Sequence, residues 1–197
     1  MYNTKEYINL IENRLSAYRC HHSLCVAKKA RELAEKYGAD AEKAYVAGIL
    51  HDVMKEEKTD VQLAEIKKAG WTLTDLEMNN PKVHHQISGA AFVKNELGIT
   101  DDDIIGGIRY HTTGHSNMTL FEMIIYLADF TSEDRKYPDV DTMRTETDKS
   151  LLSGMLYSLR YTIIDIASHS RQIHPDTLEC YNWVIKNINE SKEQENV

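Results

Sequence analysis

A chain of 197 residues with 42% apolar content can close one sizeable core, and its net charge of −8 leaves no basic field for a long nucleic-acid backbone. Nine Gly and three Pro supply few breakers, which favours long helices over a many-stranded sheet. The three cysteines match no zinc spacing and read as reduced thiols of a cytoplasmic protein, and no apolar leader or run of about 18 apolar residues points to export or a membrane.

In chain order, Ile8, Ile11 and Leu15 mark a first amphipathic helix. Val26, Ala30, Leu33 and Tyr37 share one face of a second, stopped by Gly38, and four residues back from Val26 that face carries His22. A third helix runs from about Asp40 through the apolar run Ala44-Tyr45-Val46-Ala47-Gly48-Ile49-Leu50 to the doublet His51-Asp52. Thr59 or Asp60 is expected to cap a fourth through Val61, Leu63 and Ile66. After Pro81, His84, Ile87 and Ala91 share one face, and His85, Gly89 and Phe92 the adjoining one.

Ile104, Ile108 and His111 repeat the helical pattern before a Thr112-Thr113-Gly114 stop, and Asp101-Asp102-Asp103 reads as the N-terminus of that helix, where the dipole favours negative charge. Thr119-x-x-Glu122 is a capping box opening the helix that holds Asp129. Leu152, Met155, Leu159, Ile163 and Ile166 predict a long helix, Leu178, Tyr181, Ile185 and Ile188 a last one, and Tyr137-Pro138 the loop break between. No stretch alternates with period two. The expected fold class is all-α, one helical domain over residues 1–190 followed by a polar tail at 191–197.

His51-Asp52 closes a buried helix, while His22 and Asp129 sit in other apolar helices. A lone core-facing His such as His22 would read as structural. Four such groups set into apolar helices instead make a nitrogen-and-oxygen ligand set, since unpaired buried carboxylates are costly. Without sulfur the set suits iron, manganese, magnesium or a similar divalent ion, which would polarise a phosphoryl oxygen and acidify water. Neighbours on a helix point about 100° apart, so His51 and Asp52 can share one ion only if the helix ends there.

Lys55, one turn beyond His51, could reach a phosphate, and Arg135 offers a planar fork for phosphate oxygens. His85 and His111 could bind a second metal, hydrogen-bond phosphate or protonate a leaving group. His21 and His84 read as solvent-facing or packing neighbours, and His115, His169 and His174 as loop or helix-end residues.

These positions resemble the HD superfamily of metal-dependent phosphohydrolases, and nearly the whole chain is similar to the YqeK-type symmetrical bis(5'-nucleosyl)-tetraphosphatases. The matching stretches are Arg19-x-x-His22-Ser23, Ala47-Gly48-Ile49-Leu50-His51-Asp52-x-x-Lys55-Glu56, His85-x-x-x-Gly89-Ala90, Ile108-Arg109-Tyr110-His111-Thr112-Thr113-Gly114, and Ile124-Ile125-Tyr126-Leu127-Ala128-Asp129 with Arg135. His174-Pro175-Asp176-Thr177-Leu178 is also similar but less specific. One departure is Gln86 after His85, where the family more often has a small residue and a proline.

The resemblance implies an HD-domain helical bundle and hydrolysis of diadenosine tetraphosphate to two ADP. It implies an iron-type ion on His22, His51, Asp52 and Asp129, with manganese, magnesium, nickel or cobalt also admissible. It further implies a purine nucleoside diphosphate lined by Lys55, His85, His111, Thr112 and Arg135 beside those ligands. Asp52 would orient the attacking water or accept its proton, and His111 or His85 could give one late. The partners are then small-molecule nucleotides, with no long nucleic acid and no membrane, compatible with a homodimer. The competing readings are another HD phosphohydrolase acting on a deoxynucleoside triphosphate, a deoxynucleoside monophosphate or guanosine tetraphosphate, and a non-catalytic nucleotide-binding metal protein.

Overall fold

Asn3 starts the first helix of the computed structural model, which describes residues 2–195, by accepting the N–H of Glu6; α1 (Thr4–Arg14) then turns Tyr7 and Ile11 inward. Ser16 caps α2 (Ala17–Tyr37) by accepting the Arg19 N–H. Gly38 closes α2 at φ +83°, a left-handed conformation open to glycine, and donates its N–H to Ala34 O. The Asp40 side chain accepts the N–H groups of Glu42 and Lys43 to begin α3 (Ala41–Leu50), which packs along α2.

Gly48 is what lets α2 and α3 approach, because a Cβ there would lie 2.5 Å from Ala27 Cα. The helix stops at the doublet. Residues 51–57 then wind through tight turns, with Val53 donating to Leu50 O at 3.1 Å and Lys55 to Asp52 O at 2.8 Å. His51 and Asp52 thereby escape the angular spacing of a continuing helix.

The fourth helix, α4 (Thr59–Lys68), is preceded by Lys58 as its N-cap, not by Thr59 or Asp60, and has no side-chain cap bond. Asp60 instead falls in the first turn, where its charge meets the helix dipole. A short α5 (Asp75–Met78), with a capping box between Thr74 and Glu77, lies outside the sequence expectation. Pro81 opens α6 (Pro81–Asn95), which is buried from Val83 to Val93. Asp101 caps α7 (Asp102–Tyr110) by accepting the N–H groups of Asp103 and Ile104.

The capping box of Thr119 and Glu122 begins α8 (Leu120–Thr131). Ile124, Ile125, Tyr126, Leu127 and Ala128 are all fully buried, and α8 touches α2, α3 and α7. Full burial of each Ile or Leu contributes roughly 1.5–3 kcal/mol, so this helix anchors the bundle. Over it lie α9 (Val140–Lys149) and α10 (Leu151–Ser168), and α11 (Pro175–Glu195) packs on α10. α9, polar enough to pass for loop, stands where the sequence suggested only a break.

α11 is turned from its expected register. Thr177, Cys180 and Val184 are buried, while Leu178 is 41% exposed. The helix also continues to Glu195 through most of the segment expected as a tail, because Lys, Glu and Gln are good helix formers even without burial. Asn196 and Val197 lie outside the described residues. The fold is all-α, with no strand among the described residues and no described helix long and apolar enough to cross a membrane.

Candidate metal centre

Periodicity on α2 brings His22 inward beside the end of α3 and the C-terminal half of α8. Its Nε2 lies 2.9 Å from Asp129 Oδ1, and its Nδ1 lies 2.7 Å from Asp134 Oδ2. Both carboxylates can only accept, and a cation standing between Nε2 and Asp129 would leave Nδ1–H on Asp134 to orient the ring. His51 is oriented by a different device. As the C-cap of α3 it donates Nδ1–H to Gly48 O at 2.8 Å, which satisfies one of the helix's free carbonyls.

His111 repeats that device at the end of α7, donating Nδ1–H to Ile108 O at 2.8 Å. The four rings run in sequence, with centroids 5.4 Å apart for His22–His51, 5.0 Å for His51–His111 and 5.0 Å for His111–His85. At the far end His85 Nε2 lies 2.9 Å from Lys55 Nζ, 3.1 Å from Thr112 Oγ1 and 3.1 Å from His111 Nε2. The adjoining His84 is buried away from this row, its Nε2 on Glu77 O, which fixes His85 as the histidine of this pair that faces the centre.

Asp52 lies under the row. Its Oδ1 is 3.5 Å from His85 Nε2, 3.6 Å from His111 Nε2 and 3.8 Å from Lys55 Nζ, while its Oδ2 is 3.4 Å from His51 Nε2. Arg19 Nη1 donates to the same Oδ2 at 2.8 Å. Asp129 receives Arg135 twice, through Nη2 on Oδ1 and through Nε on its backbone O at 2.8 Å. Arg135 Nη2 also lies 3.3 Å from His22 Nε2. The structure thus gathers His22, His51, Asp52, Lys55, His85, His111, Thr112, Asp129 and Arg135 around one region. His21, by contrast, is exposed, and His115, His169 and His174 lie off it at loops and helix ends.

Among the side chains of this region, Arg19 Nε, Asp134 Oδ1 and, at the centre, His51 Nε2 and Asp52 Oδ1 are buried polar atoms with no hydrogen-bond partner. Such orphans are costly unless something else meets them. The available donor atoms form two compact groups, His22–His51–Asp129 and His51–Asp52–His111, each within 4.8 Å and both containing His51. A nitrogen-and-oxygen set without thiolate, with imidazole lone pairs fixed inward, fits a divalent cation.

The charge states agree with that fit. Burial raises the Asp52 carboxyl, but its neighbours His51, Lys55 and His111 outweigh it and hold the group well below the usual range. Burial likewise opposes Asp129, yet Arg135 and the contact with His22 hold it well below that range too. Burial pushes the His111 imidazole down, and burial together with the Lys55 charge pushes His85 far down. Ionised carboxylates are the form a metal binds.

Several contributors had little sequence signal. Arg19 sits one turn before His22 on the same face, which its spacing could have shown. Asp134 had none beyond its place beside Arg135. Arg144 of α9 binds the turn after α8, donating to Thr131 O at 3.1 Å, Ser132 O at 2.7 Å and Arg135 O at 3.2 Å. Gln86, the departure after His85, accepts the N–H groups of Thr112 and Thr113 at 3.0 and 3.2 Å and donates to Thr113 Oγ1 at 3.1 Å. It therefore fixes the turn that presents Thr112. Glu56 and Glu57 hold the turn of Lys55 against the start of α2, through Ser16 Oγ at 2.7 Å and Arg14 Nη2 at 2.6 Å.

Clefts open beside both ends of the imidazole row. At the His85 end, Thr112 borders a cleft of about 360 Å³ whose wall includes Val83, Thr113, Ile166, His174 and Thr177. At the His22 end, Asp134 and Arg135 form part of a wider cleft of about 750 Å³.

The HD domain family matches residues 19–134. Over 185 residues the chain is 35% identical to the symmetrical bis(5'-nucleosyl)-tetraphosphatase of Bacillus subtilis (strain 168), spanning 93% of this chain and 98% of that protein. The protein of the same name from Staphylococcus aureus (strain NCTC 8325 / PS 47) is 30% identical, over 92% of this chain and 94% of its own length. A crystal structure from Clostridium acetobutylicum, described as a predicted HD superfamily hydrolase involved in NAD metabolism, superposes with a TM-score of 0.92. It is 33% identical and covers 95% of this chain and 99% of that one. The chain belongs to the HD-domain family, in its branch of symmetrical bis(5'-nucleosyl)-tetraphosphatases.

Proposed function

We infer that this chain is a metal-dependent hydrolase that splits diadenosine tetraphosphate at its central anhydride, giving two ADP. The observation that carries the reading is the pair of orphaned buried atoms, His51 Nε2 and Asp52 Oδ1, within a His/Asp cluster bordered by the cations Arg19, Lys55 and Arg135. His22, His51, Asp52 and Asp129 would hold the divalent ion, with iron the family expectation. When bound, such an ion supplies Lewis-acid polarisation of a phosphoryl oxygen and a lowered pKa for water.

The chain's own residues do the rest. Asp52, kept ionised, orients the attacking water and accepts its proton at the otherwise unpartnered Oδ1. Lys55 and Arg135 bind the inner phosphates from opposite ends of the row and neutralise charge that spreads over their oxygens. His85, with an ammonium 2.9 Å from its Nε2, serves to place Lys55 and Thr112 rather than to deliver a proton. Departing ADP is a fairly good leaving group, so positioning can carry most of the catalysis.

The first nucleoside runs from Thr112 into the cleft of Val83, Ile166 and Thr177, which pairs apolar walls with hydroxyls able to orient a base and ribose. One nucleoside diphosphate reaching from that cleft would leave the central anhydride beside the His/Asp cluster. The protein acts on free nucleotide, in the cytoplasm.

Product chromatography after incubation with diadenosine tetraphosphate tests the reading. ADP as sole nucleotide product, abolished by chelation and by Asp52→Ala, is the expected result. AMP with ATP would mean that the substrate is gripped one phosphate out of register. Tight ADP binding without turnover would make the protein a nucleotide sensor.

A further inference from the structure

Central cleavage of a dinucleoside tetraphosphate leaves a nucleoside diphosphate on each side of the scissile bond. The cleft beside Thr112 accommodates one. The other must leave the centre elsewhere, and the row of imidazoles has a second open end at His22.

The cleft at that end is wide, and its floor is continuous with the centre. Asp134 lies 2.7 Å from His22 Nδ1, and Arg135 lies 3.3 Å from His22 Nε2. Its walls bring together Tyr18 and His21 from the first turns of α2 with Lys136 and Tyr137 from the turn after α8. Tyr18 and His21 are three residues apart and so share a face of α2. Arg19, beside Tyr18, has its guanidinium 5.7 Å from the Tyr18 ring centroid while donating to Asp52.

Two features mark this cleft as built for a nucleotide rather than as bare surface. Two cations line it, Arg135 against the centre and the exposed Lys136 further out, in a chain whose net charge is −8. Of the acids in the lining, Asp134 engages His22 through Oδ2 and Glu133 pairs with Lys28 at 3.3 Å. Tyr18 is 67% exposed, the largest fraction among the exposed large apolar side chains of the described residues. Its ring gives up burial and stands open at the rim, as a stacking platform would.

We propose that the Tyr18 cleft binds the second, departing nucleoside diphosphate half of the substrate, with Arg135 and Lys136 on its phosphates and the base stacked on Tyr18. The assignment rests on the tetraphosphatase reading above. Stacking is indifferent to base identity. The site therefore takes a nucleotide of any base on this side.

The test uses calorimetry on the metal-loaded protein with two probes, ADP and a diadenosine tetraphosphate carrying a methylene at its central bridge. Tyr18→Ala should weaken the bridged analogue about tenfold, the loss of one stacked base, and leave ADP within about twofold. Tyr18→Phe, which keeps the ring, should restore the analogue to wild-type affinity. Replacing the distal adenosine of the analogue by guanosine or uridine should change affinity by no more than about threefold.

Unchanged analogue affinity in Tyr18→Ala would overturn the proposal, and so would an equal loss for ADP, which would mark a general disturbance of the centre. The parent reading has its own control. If the wild-type protein releases no ADP from diadenosine tetraphosphate, the failure lies there, and the assignment of the distal half falls with it.

Discussion

Gly48→Ala tests whether the close approach of α2 and α3 is what assembles the centre. The added methyl would lie 2.5 Å from Ala27 Cα, 2.8 Å from Ala27 N and 3.1 Å from the Val26 carbonyl carbon. These are backbone atoms, so no rotamer change can relieve the contact, and the two helices must move apart. Overpacking costs typically 1–3 kcal/mol, and an immovable neighbour puts this case near about 3 kcal/mol. Exchanging Gly for Ala inside a helix returns about 1 kcal/mol. The net loss is about 2 kcal/mol, which in a protein of this size lowers Tm by about 4–8 °C. Scanning calorimetry on chelator-treated protein reads this without any contribution from bound metal. The same shift separates His22 on α2 from His51, whose Nδ1 is tied to Gly48 O, so metal titration should show weaker binding. An unchanged or raised Tm would refute the reasoning, because helix propensity would then have outweighed the contact.

Asp134→Ala removes the acceptor that fixes the His22 ring, and a metal titration should show affinity lower by about 10–100-fold with the direct ligands intact. Gln86→Leu leaves the N–H groups of Thr112 and Thr113 without their acceptor; the expected cost is about 1–3 kcal/mol per donor that water does not reach, with a raised KM for diadenosine tetraphosphate, and an unchanged KM would show that the turn holds its shape alone. The pair of His115 and Glu122, 3.1 Å apart, gives a pH signature. Burial pushes His115 down but Glu122 more than offsets it, so its folded value is raised above 6.5; burial pushes Glu122 up but His115 more than offsets it, so its folded value is lowered below 4.5. The histidine's contribution is complete below 6.5 and lost as pH rises through the raised value, and the carboxylate's is complete above 4.5 and lost as pH falls through the lowered value. His115→Ala should therefore reduce Tm most between those limits and progressively less as pH rises through the raised histidine value, and a difference independent of pH would refute the pairing.

Helical periodicity made the core of the site legible. His22 follows from Val26 and Ala30 by steps of four, and Asp129 follows from the buried stripe of α8, so the meeting of those helices was implicit in which faces were apolar. What stayed hidden depends on contacts between distant segments. Arg144 reaches back to carbonyls at the end of α8 from a helix whose composition gives no apolar face strong enough to announce it. The register of α11 is a similar case. Cys180 lies where a Cβ on Gly114 would come within 2.8 Å of its Sγ, and Thr177 donates to Thr113 O at 3.0 Å. Those close fits admit a thiol and a hydroxyl but not the larger Leu178, so the nominally more hydrophobic residue is the one left exposed. Hydrophobicity locates a face only when the opposing surface has room for it.

His51 and His111 show how an ordinary helix end becomes chemistry. Each follows an apolar helix as its C-cap, and each gives its Nδ1–H to the carbonyl three residues back, at 2.8 Å in both cases. Those carbonyls would otherwise be unsatisfied in a buried place, so the bond is demanded by folding before any ligand is considered. Its by-product is an imidazole whose Nε2 is left aimed at the partner helices. For His51 that nitrogen then has no acceptor or donor of its own, and the fold closes around it regardless. The two helices carrying these caps also pack on each other and on α8, which brings Asp129 to the same point. A stability requirement at two helix ends thus fixes where both rings point. Substituting His51 by Gln would separate the two demands: the amide can still donate to the carbonyl and hold the helix end, but it would offer a metal a much poorer ligand than imidazole. Thermal stability of the chelator-treated His51→Gln protein should stay within about 1 kcal/mol of wild type while metal affinity collapses. A collapse of both would mean that the ring's packing, rather than its hydrogen bond, holds the end of α3.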